Sequence, residues 1–308
     1  MHAALSARRG FTLIEMVVAI IVLGIVGVTL GVFIVPAITA NQGVERRAAL
    51  VDSAEIAVRR MARDIRIALP NSLRVSTTGS GFAIEMIPTI DGGRYCLGGD
   101  ANCAGAAQLL AIGGSDTDFD ILGCFRNATF TGAVFPSAAF RLVIGDSNGA
   151  VYSAAGTNAV VTPTTTSITL STVNGGGAGA GACGASSGAT TSYRHHIALS
   201  AGQTFPNSSS RRRVYIIQTP VTYICNIPGG TLTRYYNYAI AAAAPTPVSP
   251  PAGATSALVT DKVTACSVAT TTADVQTGGY VKLSLSLTYP GTAEAVQLNH
   301  ETQLDNSQ

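Results

Sequence analysis

A short basic leader, MHAALSARRG, runs directly into the apolar stretch FTLIEMVVAIIVLGIVGVTLGVFIV at residues 11–35. This order constrains the chain more than any other feature. A secretory signal places its apolar stretch before the cleavage point. Here the leader ends in Gly10 and the apolar stretch follows it. A cut between Gly10 and Phe11 therefore leaves the helix on the mature chain. A span needs roughly 20 apolar residues, so residues 11–35 are long enough to cross a bilayer. Arg8 and Arg9 flank the N-terminal end and place it in the cytoplasm by the positive-inside rule. The remainder, after Pro36, is expected on the other side of the membrane.

Glu15 interrupts the apolar run. A carboxylate costs about 2.5–3.5 kcal/mol at the centre of a membrane helix and less towards an end, so it calls for a partner. Cleavage after Gly10 would create an amine at Phe11, one turn from Glu15. Between staggered neighbours the two charges would meet in a low dielectric and set an axial register. A carboxylate that snorkels to the interface without a role is the plainer alternative. Gly24, Gly27 and Gly31 allow close helix approach, or are simply tolerated in a membrane helix. Pro36 is expected to kink the helix or mark its exit.

The string RRG-FTLIEMVVAIIVLGI closely resembles the prepilin cleavage and methylation motif of type IV pilins and type II secretion pseudopilins. The resemblance covers about the first tenth of the chain. It implies cleavage after Gly10 by a prepilin peptidase, N-methylation of Phe11, and a requirement for Glu15 in assembly. Implied partners are other pilin subunits and an inner-membrane assembly platform. The implied location is a single-pass inner-membrane protein that later joins a periplasmic or cell-surface pilus.

Residues 37–69 continue as a helix, with Val44, Ala48, Val51, Ala54, Val58, Met61, Ile65 and Ala68 forming one apolar stripe at steps of three and four. Glu55 with Arg59 and Arg60 with Asp64 have the spacing of surface ion pairs. Pro70 stops the helix, and residues 70–308 form the body. Expected strands are Gly81–Ile87, Phe119–Phe125, Phe140–Ile144, Ser167–Val173, Arg213–Gln218, Val221–Cys225, Thr231–Tyr236, Ala257–Ser267, Tyr280–Tyr289 and Glu294–His300. Asn226–Gly230 reads as a hairpin turn. In Tyr280–Tyr289 the alternation of Val281, Leu283, Leu285 and Leu287 with polar residues buries one face. A long helix followed by antiparallel strands is an α+β arrangement, with the helical stripe packed on a sheet; the resemblance makes it a type IV pilin-like fold. Residues 162–192 and 241–253, low in complexity, read as surface loops or flexible insertions.

Arg63–Val75, Pro220–Tyr236, Val263–Cys266 and the closing LNHETQLDN are similar to the MshO-like minor pilins of MSHA-type pilus biogenesis. The layout also resembles the J-type minor pseudopilins of type II secretion. The resemblance implies a low-copy subunit that primes or caps a fibre. A different class remains open: an adhesin or ligand-binding module exported along the prepilin pathway.

Charge supplies little. The formal net charge is +2, and loss of Arg8 and Arg9 leaves 17 basic against 17 acidic side chains. A neutral mature chain offers no bulk attraction for nucleic acid. The short run Arg211–Arg213 reads as a solvated strand edge. Cys96, Cys103, Cys124, Cys183, Cys225 and Cys266 lie beyond the membrane stretch, in a region where disulfides persist. Cys225–Cys266 is the favoured pairing because both fall in strands near the C-terminal sheet; Cys96–Cys103 would close a Gly-rich loop and leave Cys124 with Cys183. Asp116, Asp118 and Asp120 open like a calcium loop, but Ile121 and Asn127 stand where that loop needs Gly and Glu. They form a weak calcium candidate on one strand face. His195 and His196 are expected on opposite strand faces without zinc-ligand spacing. No H-E-x-x-H signature occurs in the sequence, and neither an enzyme nor a cofactor is expected.

Overall fold

The computed structural model describes residues 10–98, 103, 108–126, 134–135, 140–145, 149–153, 159–174, 177–178, 186–187, 191–192, 194–271, 279–292 and 294–304. One long helix, α1, spans Leu13–Arg66 and carries a body of antiparallel sheets. Thr12 caps its start in extended conformation. Pro36 sits inside the helix rather than at an exit. Thr39 Oγ1 donates to the carbonyls of Val35 and Pro36 at 3.1 and 2.9 Å, beside the ring that removes a backbone donor. The helix ends at Arg66, four residues before Pro70.

The second half of α1 buries Leu50, Ala54, Ala57, Val58, Met61, Ala62 and Ile65. The expected stripe is therefore correct from Ala54 onward and displaced before it. Val44, Ala48 and Val51 lie exposed, while Leu50 and Ala57 take the inner positions. At about 100° per residue, positions 44, 48 and 51 fall on the flank of the 54-58-61-65 line. Only the sheet below decides where the buried face is centred.

Two sheets meet this helix. One has five strands in the order Arg74–Thr78, Gly81–Met86, Val221–Asn226, Thr231–Tyr236 and Thr255–Thr260. The other, at the C-terminus, has Val263–Thr270, Tyr280–Thr288 and Ala295–Gln303. Phe82, Ile84, Met86, Tyr223, Leu283, Leu285 and Leu287 join the helix residues in one core. Val281, Leu283, Leu285 and Leu287 are buried and alternate with more exposed neighbours, the period-2 pattern of a half-buried strand.

The expected strand Ala257–Ser267 is two strands in two sheets. The chain turns at Asp261 and Lys262, and Lys262 has φ of 62°. The Asn226–Gly230 turn closes the Val221–Asn226 and Thr231–Tyr236 hairpin, with Gly230 at φ of 63° and Asn226 Oδ1 accepting from Gly229 N–H at 3.0 Å.

A third, eight-stranded sheet lies beyond the first two. Its path is Val134–Phe135, Ile168–Asn174, Arg194–Thr204, Ser115–Leu122, Thr89–Tyr95, Arg213–Ile217 and Arg141–Ile144, with Gly177–Ala178 paired to Ile168–Asn174. A short ribbon joins residues 186–187 to 191–192. Phe119, Ile121, Leu142, Ile144, Ile197, Phe205, Val214 and Ile216 share its core. A smaller cluster including Leu69, Ile87, Val143, Val151 and Ile217 connects the helix end to this sheet. Within residues 162–192, Thr162 and Thr166 are buried rather than on a surface loop, and the expected strand Ser167–Val173 is found as the paired strand Ile168–Asn174. Residues 241–253 contain no strand and are largely exposed.

Candidate functional site: an uncovered N-terminal helix

Thr12 lends its side chain to the first turn, where Glu15 N–H approaches Thr12 Oγ1 at 3.4 Å. Phe11 is 81% exposed, and Glu15 lies in the first helical turn. Among the described residues no cation pairs with Glu15. From Phe11 to Val35 every residue is exposed. A Cβ added at Gly24, Gly27 or Gly31 would meet nothing within 4 Å. These glycines leave room for an approaching helix without serving any contact inside the chain.

The helix is long and apolar enough to cross a membrane: its most apolar 18-residue window has mean hydropathy 3.0 and no buried residue. An apolar face of this size, left bare in water, would aggregate; lipid or other helices must cover it. Residues 1–9, with Arg8 and Arg9, lie outside the described residues.

The Glu55–Arg59 pair forms on the helix surface. The expected Arg60–Asp64 pair does not. Asp64 turns towards the five-stranded sheet and accepts from Tyr223 Oη at 2.7 Å and Arg234 Nε at 2.9 Å. Burial, followed by the Asp64 charge, pushes the Tyr223 hydroxyl pKa up. These partners lie 159 and 170 residues away in sequence, so helix spacing carries no sign of them.

The structure brings Cys225 and Cys266 together with Cα atoms 6.7 Å apart, and Cys96 with Cys103 at 5.5 Å. The first pair links the five-stranded sheet to the C-terminal sheet. Gly81 sits against it at φ of 132°, where a Cβ would meet the Cys225 carbonyl oxygen at 2.1 Å. Cys124 is disulfide-bonded, and Cys183, the partner expected for it, lies outside the described residues.

Asp116, Asp118 and Asp120 share a face of Ser115–Leu122. Asp120 is fully buried and bonds His196 Nδ1 at 2.8 Å, while Asp118 lies 3.6 Å from His196 Nε2. Asp116 instead accepts from Ala111 N–H at 2.9 Å. The weak calcium candidate is thus divided between a histidine and the backbone. The hydrogen bond to Asp120 raises the His196 pKa above its ordinary value. On the opposite face His195 is buried, and its Nδ1 accepts from Phe125 N–H at 3.0 Å. Burial lowers its pKa.

The Arg211–Arg213 run does not mark a sheet edge. Arg213–Ile217 pairs on both sides, with Thr89–Tyr95 and Arg141–Ile144; Arg211 and Arg212 lead into it and Arg213 is its first residue. Sequence reasoning also missed a network around Glu85. Arg74 pairs with Glu85 across two strands, and Tyr238 Oη donates to Glu85 at 2.8 Å. Arg74 also binds the Ala241 and Ala242 carbonyls at 2.7 and 2.8 Å, tying down the Ala/Pro-rich loop. The cross-strand register, invisible before pairing is known, is the signal that would have found it.

No curated protein and no solved structure matches the chain. Residues 5–31 match the family model of the prokaryotic N-terminal methylation motif. That match falls on the uncovered helix and fits an inner-membrane-anchored pilin. It supports a structural subunit of the type IV pilin or pseudopilin kind rather than an enzyme.

Proposed function

We propose that this chain is a minor pilin of an MSHA-like type IV pilus, which primes or caps the fibre. A prepilin peptidase cuts after Gly10 and Phe11 is N-methylated. The helix holds the subunit in the inner membrane, with its N-terminus cytoplasmic, until assembly. The observation that carries the reading is the methylation-motif match on a helix whose apolar surface nothing in the described chain covers. Glu15 supplies the one carboxylate of that apolar segment. In the fibre it meets the Phe11 amine of a neighbouring subunit and fixes the register. The large cysteine-bearing body supports a low-copy subunit.

Glu15→Ala tests the assembly role. Export and cleavage should persist, read as a mature-size band in the membrane fraction. Incorporation into sheared fibres should fall at least tenfold. Unchanged incorporation would overturn the register role. Loss of surface pili on deletion of the chain supports the pilus assignment; loss of a secreted enzyme with pili intact would assign it to type II secretion.

A further inference from the structure

An open cleft of about 620 Å³ lies where the eight-stranded sheet meets the loop after the Thr231–Tyr236 strand. Its wall includes Phe140, Arg141, Thr164, Gln218, Asn237 and Tyr238. The volume lies in the range of small-molecule sites, which combine apolar walls with a few convergent polar groups.

Arg141 is the unusual member. It is 7% exposed, yet its only side-chain hydrogen bond among the described residues runs from Nε to the Thr162 carbonyl oxygen. Nη2 is buried without a partner, and no carboxylate pairs with the guanidinium among the described residues. Burial alone pushes its pKa down to about 10, so the side chain still carries its charge at neutral pH. An arginine buried without an anion is costly, because desolvation is not offset by pairing. Two other arginines of this body are paired with carboxylates: Arg74 with Glu85 and Arg234 with Asp64.

We propose that the cleft binds a small organic carboxylate, of acidic-sugar or acylated-amino-acid size, with its acid group on Arg141. A carboxylate would supply the anion that the buried guanidinium lacks among the described residues. A monoanion suits the site better than phosphate, because Arg141 is the only cationic side chain among the described residues of the cleft wall. The side chains of Thr164, Gln218 and Asn237 can serve hydroxyl or amide groups of the ligand, and the rings of Phe140 and Tyr238 its apolar face. The Tyr238 hydroxyl is engaged with Glu85 and Thr222, which holds its ring in place.

The test uses the full chain in nanodiscs and ligand-observed NMR, with sodium glucuronate and N-acetylglycine as acids and glucose and inorganic phosphate as controls. Binding of either acid in preference to both controls is expected; which acid binds tighter separates sugar from amino-acid sources. Arg141→Met should weaken binding about tenfold or more, the effect of losing hydrogen bonds to a charged group. Its melting temperature should hold or rise, since an uncompensated buried charge is removed. Ala239→Trp, at an exposed position in the cleft wall, should block binding with folding intact. The inference is overturned if neither acid binds at 10 mM (about ten times a 1 mM Kd), if glucose or phosphate binds equally well, or if Arg141→Met binds unchanged.

Discussion

His195 and His196 are chain neighbours, yet the strand sends them into opposite electrostatic surroundings. His195 faces the apolar core, where burial favours the neutral ring. His196 faces Asp120 and Asp118, which favour the charged ring. Their contributions to stability therefore have opposite signs in pH. With its folded pKa raised above 6.5, His196 stabilises fully below pH 6.5, and the effect is lost as pH rises through the folded value. His195, with its pKa lowered, stabilises above 6.5, and that effect is lost as pH falls through its folded value. His196→Gln should cost on the order of 1 kcal/mol near pH 6 and progressively less towards pH 8. Melting curves of wild type and variant across pH 5.5–8 check this; a pH-independent difference would refute the ion pair. The shared face of the three aspartates is legible from their i, i+2 spacing. The partner of Asp118 and Asp120 is not, because His196 comes opposite Asp120 only once the strands pair.

Along α1, sequence periodicity and tertiary burial agree only where a sheet lies beneath the helix. The 54-58-61-65 line is legible because local spacing and packing coincide there. At Asp64 they diverge. Arg60→Ala, on the exposed side, should change stability by no more than about 0.5 kcal/mol. Asp64→Ala should cost about 1–3 kcal/mol, because it strands the Tyr223 hydroxyl and the Arg234 guanidinium in a half-buried site. The Asp64→Ala/Tyr223→Phe double variant should lose less than the sum of its singles, the mark of a direct contact. Additive losses, measured by thermal or denaturant unfolding, would show that the contact carries no coupling. The strands missed from sequence share a cause with this misread pair. Thr89–Tyr95 contains Gly92, whose missing side chain accommodates the Tyr215 ring 3.0 Å from where its Cβ would stand. Arg194–Thr204 begins with Arg194 and His195, polar residues whose burial depends on partners that the sequence does not show. In each case the decisive neighbour is distant in sequence.

Across the whole molecule, the helix and two sheets share one core while the eight-stranded sheet has its own. The Cys225–Cys266 link acts within the first of these. It joins the edge-protected hairpin of the five-stranded sheet to the first strand of the C-terminal sheet, and it closes a loop of sequence separation 41. Cys96–Cys103 has a separation of only 7 and lies beside the second core. Chain-entropy arguments give about 4 kcal/mol for the longer loop and about 2 kcal/mol for the shorter. The longer link also bears on function. It holds together the two sheets on which the buried face of α1 rests, and hence, under the proposed function, the platform that presents the bare half of the helix for assembly. Replacing Cys225 and Cys266 by Ala should therefore lower the melting temperature more than replacing Cys96 and Cys103. Hydrogen exchange should quicken in 50–66 of α1 and in Tyr280–Thr288, while the Ser115–Leu122 strand stays protected. Equal melting losses, or exchange that rises in Ser115–Leu122 as much as in the helix, would mean that the two cores unfold as one unit and that the link has no separate hold on the assembly helix.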